Sequence, residues 1–290
     1  MTPDAMQTLR QRLKEVSAAY TGACTWSLTD LGDGAHIADN EDAVMPTASL
    51  IKVPVLVALY QAVAGGRYRL DDRVSYEERH RTLGSGVLSK LSFGVDLTVR
   101  DAAVLMMTIS DNSATNMCID LVGVDGVNAA MRALGLRETT LFRRLGDRGG
   151  GLDARNMSVS TASETVALMV RVARHECVSA EASEDMLRIM RRTDYRHELS
   201  GRLPWNEMNM LGDDPKLAWV AEKGGAFLNG VRTCGAIFKG PRGQFAMSAF
   251  CEGGTGPGTG RESEGNRTLG LLGETAWHAI ASADGIAVSG

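Results

Sequence analysis

Met6, Leu9, Leu13 and Val16 recur at intervals of three and four, which predicts an amphipathic helix over residues 3–20. Two strand-like runs, 23–29 and 35–38, flank Leu31-Gly32-Asp33-Gly34, the pattern of a hairpin. From Val53 to Val63 the chain is almost wholly apolar until Gly65-Gly66, so a helix there must be buried on all sides. Residues 71–96 carry no period and centre on Gly84-Ser85-Gly86. Thr98 and Asp101 make a capping box with Asp in the usual Glu/Gln place, and Val99, Ala102, Ala103, Met106 and Met107 share the helical face behind it. A second helical face, Ala114, Met117, Cys118, Leu121 and Val122, starts directly after Ser110-Asp111-Asn112, and 127–134 continues in the same period. Leu141 to Asn156 breaks the pattern with charge and glycine and reads as a surface loop. Thr161 and Glu164 cap another helix, and Ser183 to Arg191 is a further one. The period then changes to two: 217–222, 231–238 and 245–251 form a meander around the turn Gly240-Pro241-Arg242-Gly243, and a closing helix over about 267–281 presents Leu269, Leu272, Ala276 and Ile280.

Strands at both ends with helices between them predict an α/β chain of α+β type. Its antiparallel sheet is built from both termini and flanked by the terminal helices, with an inserted all-helical lobe. The expected division is 1–45 and 195–290 for the α/β lobe and 46–194 for the helical lobe, with a site in the cleft between them. There are no internal repeats and no linker.

A chain of 290 residues, 44% hydrophobic and 23% charged, buries a sizeable core. Its net charge of −4 offers no footprint for nucleic acid or an anionic membrane. No apolar run reaches the roughly 18 residues that cross a bilayer, and residues 1–7 lack the basic and apolar regions of a secretory signal. The expectation is a cytoplasmic protein as the sequence stands, or a periplasmic or secreted one if this is the mature form of a precursor. Cys24, Cys118, Cys177, Cys234 and Cys251 are widely spaced with no Cys-x-x-Cys, so free thiols are expected rather than a zinc site. The five histidines show no paired-ligand spacing either, and no metal or cofactor is expected.

The stretch with chemistry is Pro46-Thr47-Ala48-Ser49-Leu50-Ile51-Lys52-Val53-Pro54, at the head of the buried helix. Ser49 and Lys52, three apart, share one helical face, so the amine can reach the hydroxyl. A serine needs a base to become a nucleophile, and a lysine serves once burial disfavours its charged form. The helix N-terminus favours negative charge developing on Ser49. A Ser-x-x-Lys alone arises about once per chain of this length by chance, so Ser110-Asp111-Asn112 and Lys223-Gly224-Gly225 decide the matter.

In that order, and at about these separations, the three stretches resemble the motif set of the class A (serine) β-lactamase-like family of penicillin-recognising enzymes. The resemblance covers nearly the whole chain. It implies Ser49 as the acylated nucleophile, Lys52 as its proton acceptor, and Ser110 as the group passing a proton to the leaving nitrogen. Asn112 would hold a substrate amide, and Lys223 would supply charge to Ser110 and to a substrate carboxylate. The N–H groups of Ser49 and Ala226, the latter just past Gly225, would form an oxyanion hole. Arg232 is a candidate second cation, equally readable as a solvated strand arginine. The expected partner is a small molecule, a β-lactam or related amide or ester.

Two positions depart from the family. Gly224 lacks the hydroxyl usual after the lysine. If Asn156 is the family's loop asparagine, Leu152 stands where deacylating members carry glutamate, with Asp153 adjacent and one register off. Ready acylation with slow or altered deacylation is therefore expected. The alternatives are an esterase or acyltransferase on a non-β-lactam substrate, or a covalent penicillin-binding sensor.

Overall fold

The structure is a computed structural model that describes residues 1–147, 153–204, 217–255, 260 and 262–282. Helix α1 (Pro3–Ala18) starts where the Thr2 hydroxyl accepts the Ala5 N–H and Pro3 needs no donor partner. Strands β1 (Ala23–Asp30) and β2 (His36–Asp39) make the hairpin. After β3 (Met45–Pro46) a 3₁₀ turn, Ala48–Ile51, runs straight into α2 (Lys52–Ala64). Strands β4 (Arg73–Ser75) and β5 (Asp96–Thr98) pair ahead of α3 (Val99–Thr108), α4 (Asn112–Val122) and α5 (Val124–Ala133). Strands β6 (Thr140–Leu141) and β7 (Ser158–Ser160) precede α6 (Ala162–Ala173) and α7 (Ala180–Arg191). The meander β8 (Trp219–Ala226), β9 (Arg232–Lys239) and β10 (Gln244–Glu252) leads to α8 (Glu264–Ile280).

The main sheet has the order β2-β1-β10-β9-β8. Antiparallel pairing of β1 with β10, from Ala23 opposite Glu252 to Asp30 opposite Phe245, joins the two ends of the chain. One face carries Trp26, Leu28, Phe238 and Phe245 into a core with Met6, Leu9 and Leu13 of α1 and Leu269, Leu272 and Ala276 of α8. The other face gives Ala221, Ile237, Ala246 and Phe250 to a second core shared with helices α2 to α7. Each large apolar side chain buried this way contributes about 1.5–3 kcal/mol before chain entropy is set against it. Helix α2 lies in the middle of the second core, with every residue from Lys52 to Tyr60 buried, as its unbroken apolar sequence requires.

A sheet drawn from both termini, terminal helices over it and helices in between match the architecture expected from the pattern. The differences are local. Ser49 lies in the 3₁₀ turn and Lys52 is the first α-helical residue, so the pair straddles a change of helix type. Helix α7 begins three residues earlier than its apolar period, because the Ser179 side chain caps it by accepting the Ala182 N–H. Strand β8 continues through Lys223-Gly224-Gly225 to Ala226. The small ladders β3-β7-β6 and β4-β5 arise in stretches of two or three residues, too short for a period to show. Among the described residues no helix is long and apolar enough to cross a membrane.

Candidate active site

A cavity of about 610 Å³ opens where the edge strand β8 meets the 3₁₀ turn and the α3–α4 junction. Ser49, Ser110, Asn112, Asp153, Lys223, Gly225 and Ala226 all line it. Lys52 lies beneath its floor, fully buried. Asn156, exposed at the end of the 3₁₀ turn Ala154–Asn156, is not among the lining residues. Leu152 lies outside the described residues.

The α3–α4 junction sets the geometry. Helix α3 ends in a residue with left-handed backbone, a place glycine usually takes; here it is Ser110, with φ of 54°. Such a conformation costs about 1–3 kcal/mol and persists only where its surroundings impose it. They do so here. The Asp111 N–H bonds back to the Leu105 carbonyl at 3.0 Å, and the Ser110 carbonyl accepts from Lys52 Nζ at 2.6 Å and from Ser85 Oγ at 2.6 Å. Asp111, fully buried, caps α4 through the Ala114 N–H and takes the Val87 and Leu88 N–H groups on its other oxygen. This carboxylate pins the loop over 82–88 to the junction. Gly84 and Gly86 both have positive φ, and a Cβ at either would stand within 2.4 Å of the Asn112 amide or the Asp111 carboxylate. The loop therefore closes on the motif only as glycine.

Ser110 Oγ ends up between two amines, with Lys52 Nζ at 2.9 Å and Lys223 Nζ at 3.1 Å. Burial drives the Lys52 pKa well below its ordinary value, Lys223 pushes the same way, and Asp111 opposes them. Lys223 is lowered to about 8 by burial, against the pull of Glu198, Cys234 and Glu222. Lys52 Nζ donates to the Ser110 carbonyl, to Asn112 Oδ1 (2.8 Å) and to Ser110 Oγ. Lys223 donates to Ser110 Oγ and to the Gly224 carbonyl at 2.7 Å. Asn112 is held at both ends, its Nδ2 donating to the Leu83 carbonyl at 2.9 Å. Ser49 Oγ makes no hydrogen bond among the described residues. Strand β8 passes tightly beside it: a Cβ on Gly225 would stand 2.8 Å from Ser49 N and 2.6 Å from the Thr47 carbonyl.

Arg232 is not brought into the cavity. It pairs across the sheet with Ala226, on the face away from Lys223. Its Nη1 donates to the Phe227 and Val231 carbonyls at 3.0 and 2.6 Å, and its side chain packs on Gly265 of α8. It is 1% exposed, so it is neither a second cation lining the cavity nor a solvated strand arginine. Asp153 is exposed, and its Oδ1 accepts the Arg155 N–H at 2.9 Å.

Among the cavity residues that the sequence reading did not place in the site, Ser85 and Glu198 carry polar groups against the motif residues. Ser85 braces the Ser110 carbonyl, and the flanking glycines were its only signal. Glu198, 6% exposed, lines the cavity with its carboxylate against Gly224. Burial raises its pKa, and the Lys223 charge works against that. Behind it Glu222 is raised to about 7 by burial and by Glu198, with Ser200 Oγ donating to it. No local motif marks Glu198.

The fold has solved relatives. A β-lactamase from Sphaerobacter thermophilus superposes with a TM-score of 0.81 at 26% identity, covering 93% of this chain and 96% of that one. PBP-A superposes with a TM-score of 0.80 at 25% identity, covering 94% and 96%. The β-lactamase SME-1 of Serratia marcescens is 27% identical over 135 residues, 46% of each chain, so the matched stretch spans about half the length of that curated relative. The family model of the Beta-lactamase enzyme family matches residues 8–280. The chain belongs to the β-lactamase enzyme family.

Proposed function

We propose that the protein is a serine acyl-enzyme hydrolase in which Ser49 is the nucleophile, acting on β-lactams or related amides and esters. The observation that carries this reading is the Ser110 hydroxyl, set between a lysine biased toward neutrality and one that stays largely charged, on the wall of a cavity that also holds Ser49. Ser49 Oγ attacks the carbonyl carbon and its proton passes to Lys52 Nζ. The N–H groups of Ser49 and Ala226 receive the oxyanion. When the carbon–nitrogen bond breaks, Ser110 gives its proton to the leaving nitrogen and is reprotonated from Lys52. Lys223 keeps that path electropositive, and Asn112 orients the donor. The cleft between an α/β lobe, 1–45 and 195–290, and a helical lobe, 46–194, is the place of the reaction.

Deacylation is slow in this reading. Water needs a base beside the ester, Leu152 cannot supply one, and Asp153, its neighbour in sequence, is the carboxylate that could substitute. A second reading, an esterase or acyltransferase on a non-β-lactam donor, is favoured by the carboxylate that stands beside Gly224. Intact mass after incubation with a penicillin tests the first reading. An adduct of the whole drug on the native protein and none on Ser49→Ala is expected. No adduct together with steady hydrolysis would sink it. Burst kinetics with a chromogenic cephalosporin separate slow deacylation from free turnover, and steady turnover without a burst, unchanged in Asp153→Ala, would remove the deacylation claim.

A further inference from the structure

Two of the five cysteines face each other across the strands that join the ends of the chain. Cys24 of β1 stands opposite Cys251 of β10. Just beyond the paired span the Leu31 N–H donates to the Gln244 carbonyl at 2.8 Å, which marks 31 and 244 as a hydrogen-bonded pair. Every second pair from there, Thr29 with Ala246 down to Ala23 with Glu252, is of the same kind, and Cys24 with Cys251 is one of the pairs in between. In such non-hydrogen-bonded pairs the Cα atoms stand about 4.5 Å apart and the side chains are closest. That separation lies within what a disulfide spans without backbone movement. The thiols already meet, with the Cys251 S–H donating to Cys24 Sγ at 3.5 Å. This bond and burial raise the Cys251 pKa well above its ordinary value, so Cys251 is the protonated member of the pair. It lies in the core under α1 and α8, whereas Cys24 is half-buried and is the thiol that an external reagent reaches first. Cys118, Cys177 and Cys234 are all fully buried.

We propose that Cys24 and Cys251 are a thiol–disulfide exchange site, at which a low-molecular-weight disulfide closes a cross-strand bridge that locks the two ends of the chain into the main sheet. The Cys24 thiolate attacks one sulfur of the small disulfide, which stays on Cys24 as a mixed disulfide while the other half departs as a thiol with the proton that Cys24 gave up. The Cys251 sulfur then attacks Cys24 Sγ, the second half departs with the Cys251 proton, and the Sγ–Sγ bond is made. Two protein thiols are oxidised and one small disulfide is reduced to two thiols, with no further reagent. The bridge ties positions 227 apart in the chain and so restricts the unfolded state far more than the folded one. Neither cysteine lines the cavity, and the inference holds whichever acyl donor the cavity takes.

Glutathione disulfide tests this. The native protein, Cys24→Ser and Cys251→Ser are each held with an excess of it in the absence of denaturant, then denatured in an alkylating reagent for intact mass and peptide mapping. In the native protein two of the five thiols are expected to be lost, with no glutathione retained and a linked peptide that joins Cys24 to Cys251. Cys251→Ser is expected to stop at one glutathione on Cys24, and Cys24→Ser to form no bridge. The bridged native protein is expected to melt about 5 °C or more above the reduced one, and dithiothreitol to reverse the difference. Five free thiols, glutathione retained on the native protein without a bridge, a bridge through any other cysteine, or a bridge that leaves the melting temperature unchanged overturns the proposal. The native peptide map decides the pairing even where a variant does not fold.

Discussion

Gly225 and Ser49 touch through their backbones: a side chain on Gly225 would run into Ser49 N, the Thr47 carbonyl and Thr233 Oγ1. At Gly224, one residue earlier, the three atoms nearest an added side chain all belong to the far end of Glu198. The two glycines therefore differ in what can give way. Gly225→Ala is expected to displace the 3₁₀ turn and lower the acylation rate at least a hundredfold, since about 1 Å of misplacement at a reacting group has that effect. Gly224→Ser is expected to swing Glu198 aside at about 1 kcal/mol of stability. Denaturant melts and acylation rates on both variants check the contrast, and equal losses would refute it.

Lys52 is expected to act as the base, not as a structural cation. Lys52→Ala should slow acylation by about 10²–10⁴-fold, the usual worth of a positioned base. Lys52→Arg should not restore it, because a guanidinium cannot release its proton. Time-resolved mass spectrometry of the acyl-enzyme reads both, and rescue by arginine would assign Lys52 a purely electrostatic role.

Lys223 separates the pH dependence of activity from that of stability. Its folded pKa of about 8 lies below the ordinary 10.5, so the unfolded chain binds more protons between those values. Its contribution to stability is therefore complete above about 10.5 and is lost as pH falls through about 8. Acylation should move the other way, declining as pH rises through about 8 and Ser110 loses its cation. Comparing native protein with Lys223→Met in both assays isolates this group. An alkaline limb of acylation unchanged by the substitution would rule Lys223 out as its source.

Away from the cavity, Asp185 ties three helices together. It accepts the Tyr60 hydroxyl from α2 and two bonds from Arg100 of α3, at 2.5 and 3.2 Å, while itself lying on α7. Burial works to raise its carboxyl pKa, but the Arg100 and Tyr60 bonds outweigh that and hold it below 3.8. Its contribution is thus present above about pH 4 and lost as pH falls through the depressed value. Asp185→Asn should cost about 2–4 kcal/mol at neutral pH. The gap from native should narrow in acid. A constant gap from pH 7 down to 3 would show that the ionised form is not what matters.

The residues that sequence reasoning could place are those whose chemistry lies in short local patterns. Ser49 and Lys52 stand one turn apart, Ser110 and Asn112 mark a junction between two helical periods, and Lys223 sits in a strand, so each carried a spacing to read. Glu198 carried none, because its meaning depends on a strand 26 residues later meeting it with a glycine at that point. Arg232 shows the same limit from the other side. It lies on the strand after Lys223, but the pairing register turns it to the opposite face, and register is a property of two strands together. The cap at Ser179 was missed because the apolar period of α7 begins only after its first turn. The sheet drawn from both ends was legible because strand and helix periods alternate clearly there.

The pairing of β1 with β10 also orders events during biosynthesis. Ser49, Lys52 and Ser110 leave the ribosome well before β8 brings Lys223, and β1 waits for a neighbour that comes more than 200 residues later. Contacts so distant along the chain slow folding and leave partly folded states with unpaired strand edges. The nucleophile, its base and the proton relay therefore exist as sequence long before the wall that charges and shapes them. Acylating competence is a late acquisition of the folding chain.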